Sequence, residues 1–407
     1  MDKRTLSIIL PGLLIAATGV GAGDLATAGF AGSHLGVAVL WAVVLGGLLK
    51  FALTEGIARW QLVNGDSLID GFAQRFGKPF VYIFLAYLVL WSFFVGSALI
   101  SASGVAMHAL FPVFSAGTGK IVFGITCSLL GLLLVRAGNF ALFEKIMGFS
   151  VAIMVLIVFT TALILWPGNT QVLSGLFIPS IPDVDGKGLT WTVALIGGVG
   201  GTLTIFSYGY WIREKQRISR EDIATCRIDL LVGYAVTILF GLSMVIIGST
   251  VSVEGKGSGL IINLAASLET ALGTTGKWMF LVGGFFAIFS SLLGVWQAVP
   301  YMFADLVKHL TPAGKEQTTK LADRSSYQLF QLALALLPIM SLWVSFKEVQ
   351  KIYSVFGTFF MPFLAIALLY FNNQKGMKSD KNSMLYNGML LITLLFFSYV
   401  AWQKFFG

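Results

Sequence analysis

Charge is scarce in this chain. Acidic and basic residues make up 11% of its 407 positions, while 57% are hydrophobic. A water-facing globule needs far more polar surface, so a bundle that also faces lipid is implied. There are two cysteines, Cys127 and Cys226, and they are far apart. That excludes a disulfide framework or thiolate cluster and suits buried, inert thiols. The three histidines, His34, His108 and His309, show no ligand spacing. Also missing are a nucleophile–base triad, a metal-ligand helix, a phosphate loop and a soluble domain, so an enzyme or receptor is not expected and no cofactor is called for. No cleavable signal is expected either, because the first apolar run follows Met1-Asp2-Lys3-Arg4 directly and no small-residue cleavage site follows it.

Long apolar runs are plentiful, each near the ~20 residues needed to cross a bilayer. They predict about eleven spans, near 6–31, 35–58, 80–110, 119–135, 146–166, 189–212, 228–250, 277–304, 327–346, 349–371 and 385–403. With the N-terminus cytoplasmic, nineteen of the 27 lysines and arginines fall on the inside or at inner span ends and seven outside or at outer span ends; Lys50 lies deep within a span. The positive-inside rule fixes that orientation and puts the C-terminus outside, in a cell-membrane protein. The net charge of +8 therefore reflects topology rather than nucleic-acid binding. The charged stretch Arg213–Arg227 reads as a cytoplasmic helical connector with a solvated face, and Pro167–Gly188, with Asp183 and Asp185, as a turn-forming outside loop.

Two spans are interrupted by glycine at matching places. The first contains Gly19-Val20-Gly21-Ala22-Gly23-Asp24, and the sixth Gly197-Gly198-Val199-Gly200-Gly201 followed by Thr202 and Thr204. Such a pair is the best sequence pointer to the midplane site of a secondary transporter. Unwinding a helix in lipid frees backbone groups, so a break persists only where those groups find partners or coordinate a solute. A single transmembrane domain over 1–407 is expected, with repeats at about 1–166 and 189–371 and an extra helix at 385–403. Five spans per half would invert the second repeat relative to the first.

Asp24 directly follows the first break. A carboxylate in mid-membrane costs roughly 2.5–3.5 kcal/mol on insertion scales, so it usually faces a cavity, a cation or a base. It reads as a cation ligand or proton site, or as a cap on the half-helix amides. The second break offers the carbonyls of Gly200 and Gly201 and the hydroxyls of Thr202, Thr204 and Ser207, then Phe206, Tyr208, Tyr210 and Trp211. Oxygen donors suit a hard cation or a polar organic solute; back-bonding to the preceding turn is the plain alternative for the hydroxyls. In the second span Glu55 and Arg59 are spaced to pair on one helix face. Lys50 either snorkels or faces the bundle as a fixed positive charge or proton carrier near Asp24. Ser290, Ser291, Trp296, Gln297 and Tyr301 either line the pathway or bridge helices, and Gly283, Gly284 and Gly294 favour close packing.

At these residues the chain resembles the NRAMP family of divalent-metal transporters, which have a leucine-transporter-type fold. The likeness rests on Pro11-Gly12, Asp24-Leu-Ala-Thr-Ala, Gly138–Lys145, Val172–Pro182 and the stretch around Met361-Pro362-Phe363-Leu364-Ala365. It implies an all-α membrane protein with a 5+5 inverted repeat and helices 1 and 6 unwound at mid-membrane. The family's Asp-Pro-Gly-Asn is replaced here by Gly21, Ala22, Gly23 and Asp24, and its Met-Pro-His by Thr204, Ile205 and Phe206. The usual metal-binding aspartate and soft sulfur are thus absent. The acids that the family places in helix three for proton passage have no counterpart in Ser97–Phe111.

The reading is a secondary active carrier, a symporter of the NRAMP type, that moves a divalent cation by alternating access. A hard ion such as magnesium is favoured over transition metals. The metal ligands are expected at Asp24, Gly21, Gly201 and Thr204, within a substrate site of Gly21, Ala22, Gly23, Asp24, Gly200, Gly201, Thr202, Thr204, Phe206 and Gln297. Asp24, Lys50 and Glu55 are the coupling candidates. The alternative is a carrier of a small organic solute such as an amino acid or amine, with amides of Gly19–Gly23 holding a carboxylate and Phe206, Tyr208 or Trp296 forming an apolar wall. Expected partners are the bilayer and a small ion or solute, for a monomer, with no nucleic acid.

Overall fold

Apolar runs in lipid fold as helices because a helix satisfies its own amides and carbonyls within one segment. A computed structural model of the protein describes residues 3–183, 187–250, 259–311, 320–343 and 346–406. Asp185, assigned to the outside loop above, lies outside the described residues, as do Lys256 and Lys315. Among the described residues the regular structure is helical throughout: α1 (Lys3–Gly19), α2 (Ala22–Leu35), α3 (Leu40–Asn64), α4 (Leu68–Leu110), α5 (Ala116–Ala137), α6 (Phe140–Ile164), α7 (Asn169–Phe177), α8 (Gly188–Gly198), α9 (Ser207–Glu214), α10 (Ile223–Thr250), α11 (Gly259–Lys308), α12 (Ser325–Leu336), α13 (Phe346–Phe371) and α14 (Met384–Phe406).

Nine stretches among the described residues are long and apolar enough to cross a bilayer, one of them, 23–64, holding both α2 and α3. Joining α1 to α2 and α8 to α9 across their breaks, and adding α13, recovers the eleven passages expected from sequence. α10 packs on α1, α2 and α3, and α11 on α1, α4, α6 and α12, so α10 and α11 both pack against the first broken passage.

α4 and α11 are too long for one crossing, and each bends at a single glycine. Gly77 has φ 70° and ψ −165°, Gly273 φ 72° and ψ −175°. Both are left-handed positions that side chains avoid. Each bend lies toward the N-terminal end of its helix.

Two loop expectations need correcting. The outside loop is not only turns: 169–177 forms α7, whose Gly175 lies so close to Val37 that a Cβ there would sit 1.9 Å from the Val37 carbonyl oxygen. Gly175 is what lets this short helix rest on backbone. The Arg213–Arg227 connector is not a solvated helix. α9 ends at Glu214, Gln216 takes a positive φ of 59°, and only a 3-10 turn at Arg220–Asp222 precedes α10. Arg217 from this connector is buried, 7% exposed, because it pairs with an acid inside the bundle.

Candidate functional site

The two breaks meet backbone to backbone. α1 ends at Gly19 and α2 begins at Ala22; α8 ends at Gly198, and helical turns resume at Leu203. Gly200 and Gly201 both take left-handed φ, 81° and 78°. A Cβ on Gly19 would lie 2.8 Å from the carbonyl carbon of Gly200, and one on Gly201 would lie 3.2 Å from the Cα of Gly19. Only glycines permit this approach.

Each set of freed backbone groups has a dedicated partner. Asp24, in the first turn of α2, accepts the Gly21 amide on Oδ2 at 3.2 Å and the Gly200 amide on Oδ1 at 3.2 Å. One carboxylate thus caps both breaks, where the sequence suggested a cap on its own half-helix. At the end of α1, Ser290 Oγ donates to the Ala17 carbonyl at 3.1 Å and Ser291 Oγ to the Thr18 carbonyl at 2.8 Å. These are the orphan carbonyls that a helix end leaves. Lys50 of α3 serves the second break: its Nζ donates to the Gly197 carbonyl at 3.3 Å and, in a closer contact, to the Gly201 carbonyl. Lys50 is fully buried and faces the bundle.

A cavity of about 50 Å³ lies against this junction, lined by Thr18, Gly19, Gly21, Gly23, Asp24, Gly201, Thr204 and Ser291, with Val95, Ala98, Leu99 and Val295 opposite. Asp24 remains partly exposed there. Each oxygen of an ionised carboxylate has about two acceptor sites, so the two amides leave capacity for a further partner. Thr18 Oγ1, on the same wall, is buried without a hydrogen-bond partner among the described residues. It packs instead against Gly294 of α11, where a Cβ would lie 2.0 Å from the hydroxyl oxygen.

The structure brings together Gly21, Gly23, Asp24, Gly201 and Thr204 of the expected site, with Gly200 adjoining through its amide. Ala22 sits at the start of α2. Thr202 packs near Gly357 and is not among the lining residues. Phe206 packs at a tilt against Phe84 and Phe360, with centroids 6.2 and 5.5 Å away. Gln297 accepts from Trp211 Nε1 at 2.6 Å, away from the cavity. Glu55 accepts from both Arg59, at 3.0 Å, and Arg227, at 2.8 Å, which extends the expected helix-face pair into a network. Cys127 and Cys226 are free and buried, as expected.

Not anticipated from sequence is a set of acids, Asp70, Asp229 and Asp305 buried and Glu214 half-buried, that accept hydrogen bonds inside the bundle. Asp229 of α10 accepts the Gly12 amide at 2.7 Å, Tyr208 OH at 2.8 Å and Arg217 Nη1 at 2.9 Å. Asp305 of α11 accepts Ser67 Oγ at 2.5 Å and Tyr210 OH at 2.9 Å, while Glu214 accepts Tyr301 OH at 2.8 Å. α9 is therefore tied along its length to α10 and α11. Asp70, Asp305 and His309 come close enough to hold a metal ion, but Lys308 Nζ already bridges the two acids at 2.6 and 2.8 Å. That cluster is an ion-pair network in which the Lys308 ammonium sits between the two carboxylates. Acidic residues so close to apolar runs were the available signal.

With this geometry in place, comparisons with known proteins bear on it. A family model described as natural resistance-associated macrophage protein-like (Nramp) matches residues 12–406. The divalent metal cation transporter MntH of Chromohalobacter salexigens is 28% identical over 59% of this chain, and the match spans 56% of that protein. The protein of the same name from Mycobacterium leprae is 21% identical over 93% of this chain and 87% of its own length. Among solved structures, a manganese transporter of Eremococcus coleocola superposes with a TM-score of 0.77 at 17% identity, over 99% of this chain and 86% of that one. MhsT in complex with L-phenylalanine superposes with a TM-score of 0.65 at 16% identity, over 97% of each chain. At such identities these structures speak for a common leucine-transporter-type fold.

Proposed function

The chain belongs to the Nramp family, and we propose that it is a secondary active carrier of a hard divalent cation, magnesium before manganese or iron, in the cell membrane. The observation that carries this reading is Asp24, whose carboxylate joins both helix breaks at the wall of a small cavity. The polar side chains that line that cavity with a free oxygen are Asp24, Thr204 and Ser291. Hard cations take such ligands and transition metals prefer softer ones. Family membership and the named cargo of the relatives support a metal ion. The missing sulfur and imidazole shift the choice of ion.

Cavity size argues the same way. At about 50 Å³ it accommodates about three to five waters by the usual measure of roughly 10–15 Å³ each. An ion that keeps part of its hydration fits, whereas an amino acid does not without further opening. The apolar wall needed for an organic solute is also dispersed: Tyr208 bonds Asp229, and Trp296 Nε1 donates to the Ser128 carbonyl at 3.3 Å. The organic-solute reading keeps less support.

Transport would proceed by alternating access, with the repeats at 1–166 and 189–371 rocking about the Asp24 junction. The bends at Gly77 and Gly273, one in each repeat, favour that division. With the N-terminus cytoplasmic, the bonds from α9 to α10 and α11 close the inner side, and they must part for release inward. Reconstituted into liposomes containing a magnesium indicator, the protein is expected to give saturable Mg²⁺ uptake, and calorimetry to give heat with Mg²⁺ but none with amino acids. Heat with amino acids alone would overturn the reading.

A further inference from the structure

We propose that Lys50 is a resident cation: its ammonium fills a carbonyl nest at the second break that would otherwise hold a free monovalent ion. The inference deepens the carrier reading and rests on it for any consequence in transport, although the ion site itself can be tested without transport. A lysine inside a span ordinarily snorkels toward the interface. Lys50 lies in the middle of α3, is fully buried, and gives two of its three donors to the carbonyls of Gly197 and Gly201. Gly197 belongs to the last turn of α8, where unsatisfied carbonyls and the helix dipole concentrate negative charge. Gly201 follows in left-handed backbone, beyond the helix end. The ring of Phe397, from α14, stands 5.8 Å from Nζ and presents a third electron-rich surface to the same charge.

Lone pairs and a π face are what a small monovalent cation also requires, and no directional chemistry in the nest is particular to an amine. A lysine used only as a staple would be expected to reach the nearest carbonyl of one neighbouring helix. Lys50 instead spans the break, holding the helix end and the linker beyond it. On the other side of the same glycines, Asp24 accepts the Gly200 amide. A fixed positive and a fixed negative charge thus flank one turn of backbone. The two charges balance each other across the junction, and the nest at the second break is already filled.

The test uses full-length Lys50→Ala, purified in detergent without divalent ions. Its melting is compared in sodium, potassium and methylammonium chlorides against N-methylglucamine chloride at equal ionic strength. Small cations are expected to raise its Tm by roughly 3 °C or more, with the wild-type protein indifferent to the exchange. Lys50→Met, whose side chain still fills the channel to the nest, is expected to be indifferent as well. The proposal is overturned if Lys50→Ala melts alike in every salt, if Lys50→Met responds as strongly as Lys50→Ala, or if Lys50→Ala folds in no salt, methylammonium included. Divalent uptake by the wild-type protein is measured separately. Its failure would remove the carrier reading and leave the ion-nest result standing.

Discussion

Asp24→Ala is expected to lower divalent-cation uptake by roughly 100-fold or more, since losing even a supporting group around a metal costs 10–100-fold. Two effects combine in that variant. The cargo loses the carboxylate at the cavity wall. The amides of Gly21 and Gly200 also lose their acceptor, at about 1–3 kcal/mol for each buried donor left unsatisfied. Asp24→Asn separates the two contributions. Its carbonyl oxygen still accepts one amide, while its NH₂ meets the other, so about half of the cap survives. The negative charge is gone. If Asp24 serves the cation, Asn should be nearly as inactive as Ala while melting closer to wild type. If it serves only the fold, uptake should recover along with stability.

The second large effect is expected at Asp229. It is fully buried and accepts from Gly12, Tyr208 and Arg217, so it joins α1, α9 and the connector to α10. Asp229→Ala would leave the Arg217 guanidinium without this partner, and breaking a buried pair from one side costs about 3–5 kcal/mol. The loss should also be local. Cys226 adjoins the tether, since its carbonyl accepts Tyr208 OH at 3.1 Å, and its thiol is buried. In the variant a maleimide should label Cys226 markedly faster, while Cys127, buried on α5, keeps its protection. Unchanged melting and unchanged labelling would mean that the tether holds nothing closed.

What could be read from sequence was whatever depends on neighbours in the chain. The glycine clusters at 19–23 and 197–201 announced the breaks because Gly200 and Gly201 need left-handed backbone and Gly19 must touch another main chain. The apolar runs announced the passages in the same way. Partnerships were not legible. Gly12 and Asp229 are 217 positions apart, and Lys50 and Gly201 are 151 apart. No local pattern reports which helix will pass by. Arg217 illustrates the consequence: in sequence it looks like one more charge in a hydrophilic connector, yet the fold buries it against Asp229. The bends at Gly77 and Gly273 were hidden because one glycine in an apolar run has the same appearance whether it packs or turns.

The central claim is that the two breaks form one cation site around Asp24. The most direct measurement is anomalous diffraction from crystals soaked in Mn²⁺, an ion dense enough to locate and able to bind oxygen ligands. The account predicts a single strong peak in the cavity between Asp24 and Thr204, about 2–2.5 Å from a carboxylate oxygen, and no such peak in Asp24→Asn. A peak at the Asp70–Asp305–His309 cluster instead, or a cavity peak that persists in Asp24→Asn, would contradict it.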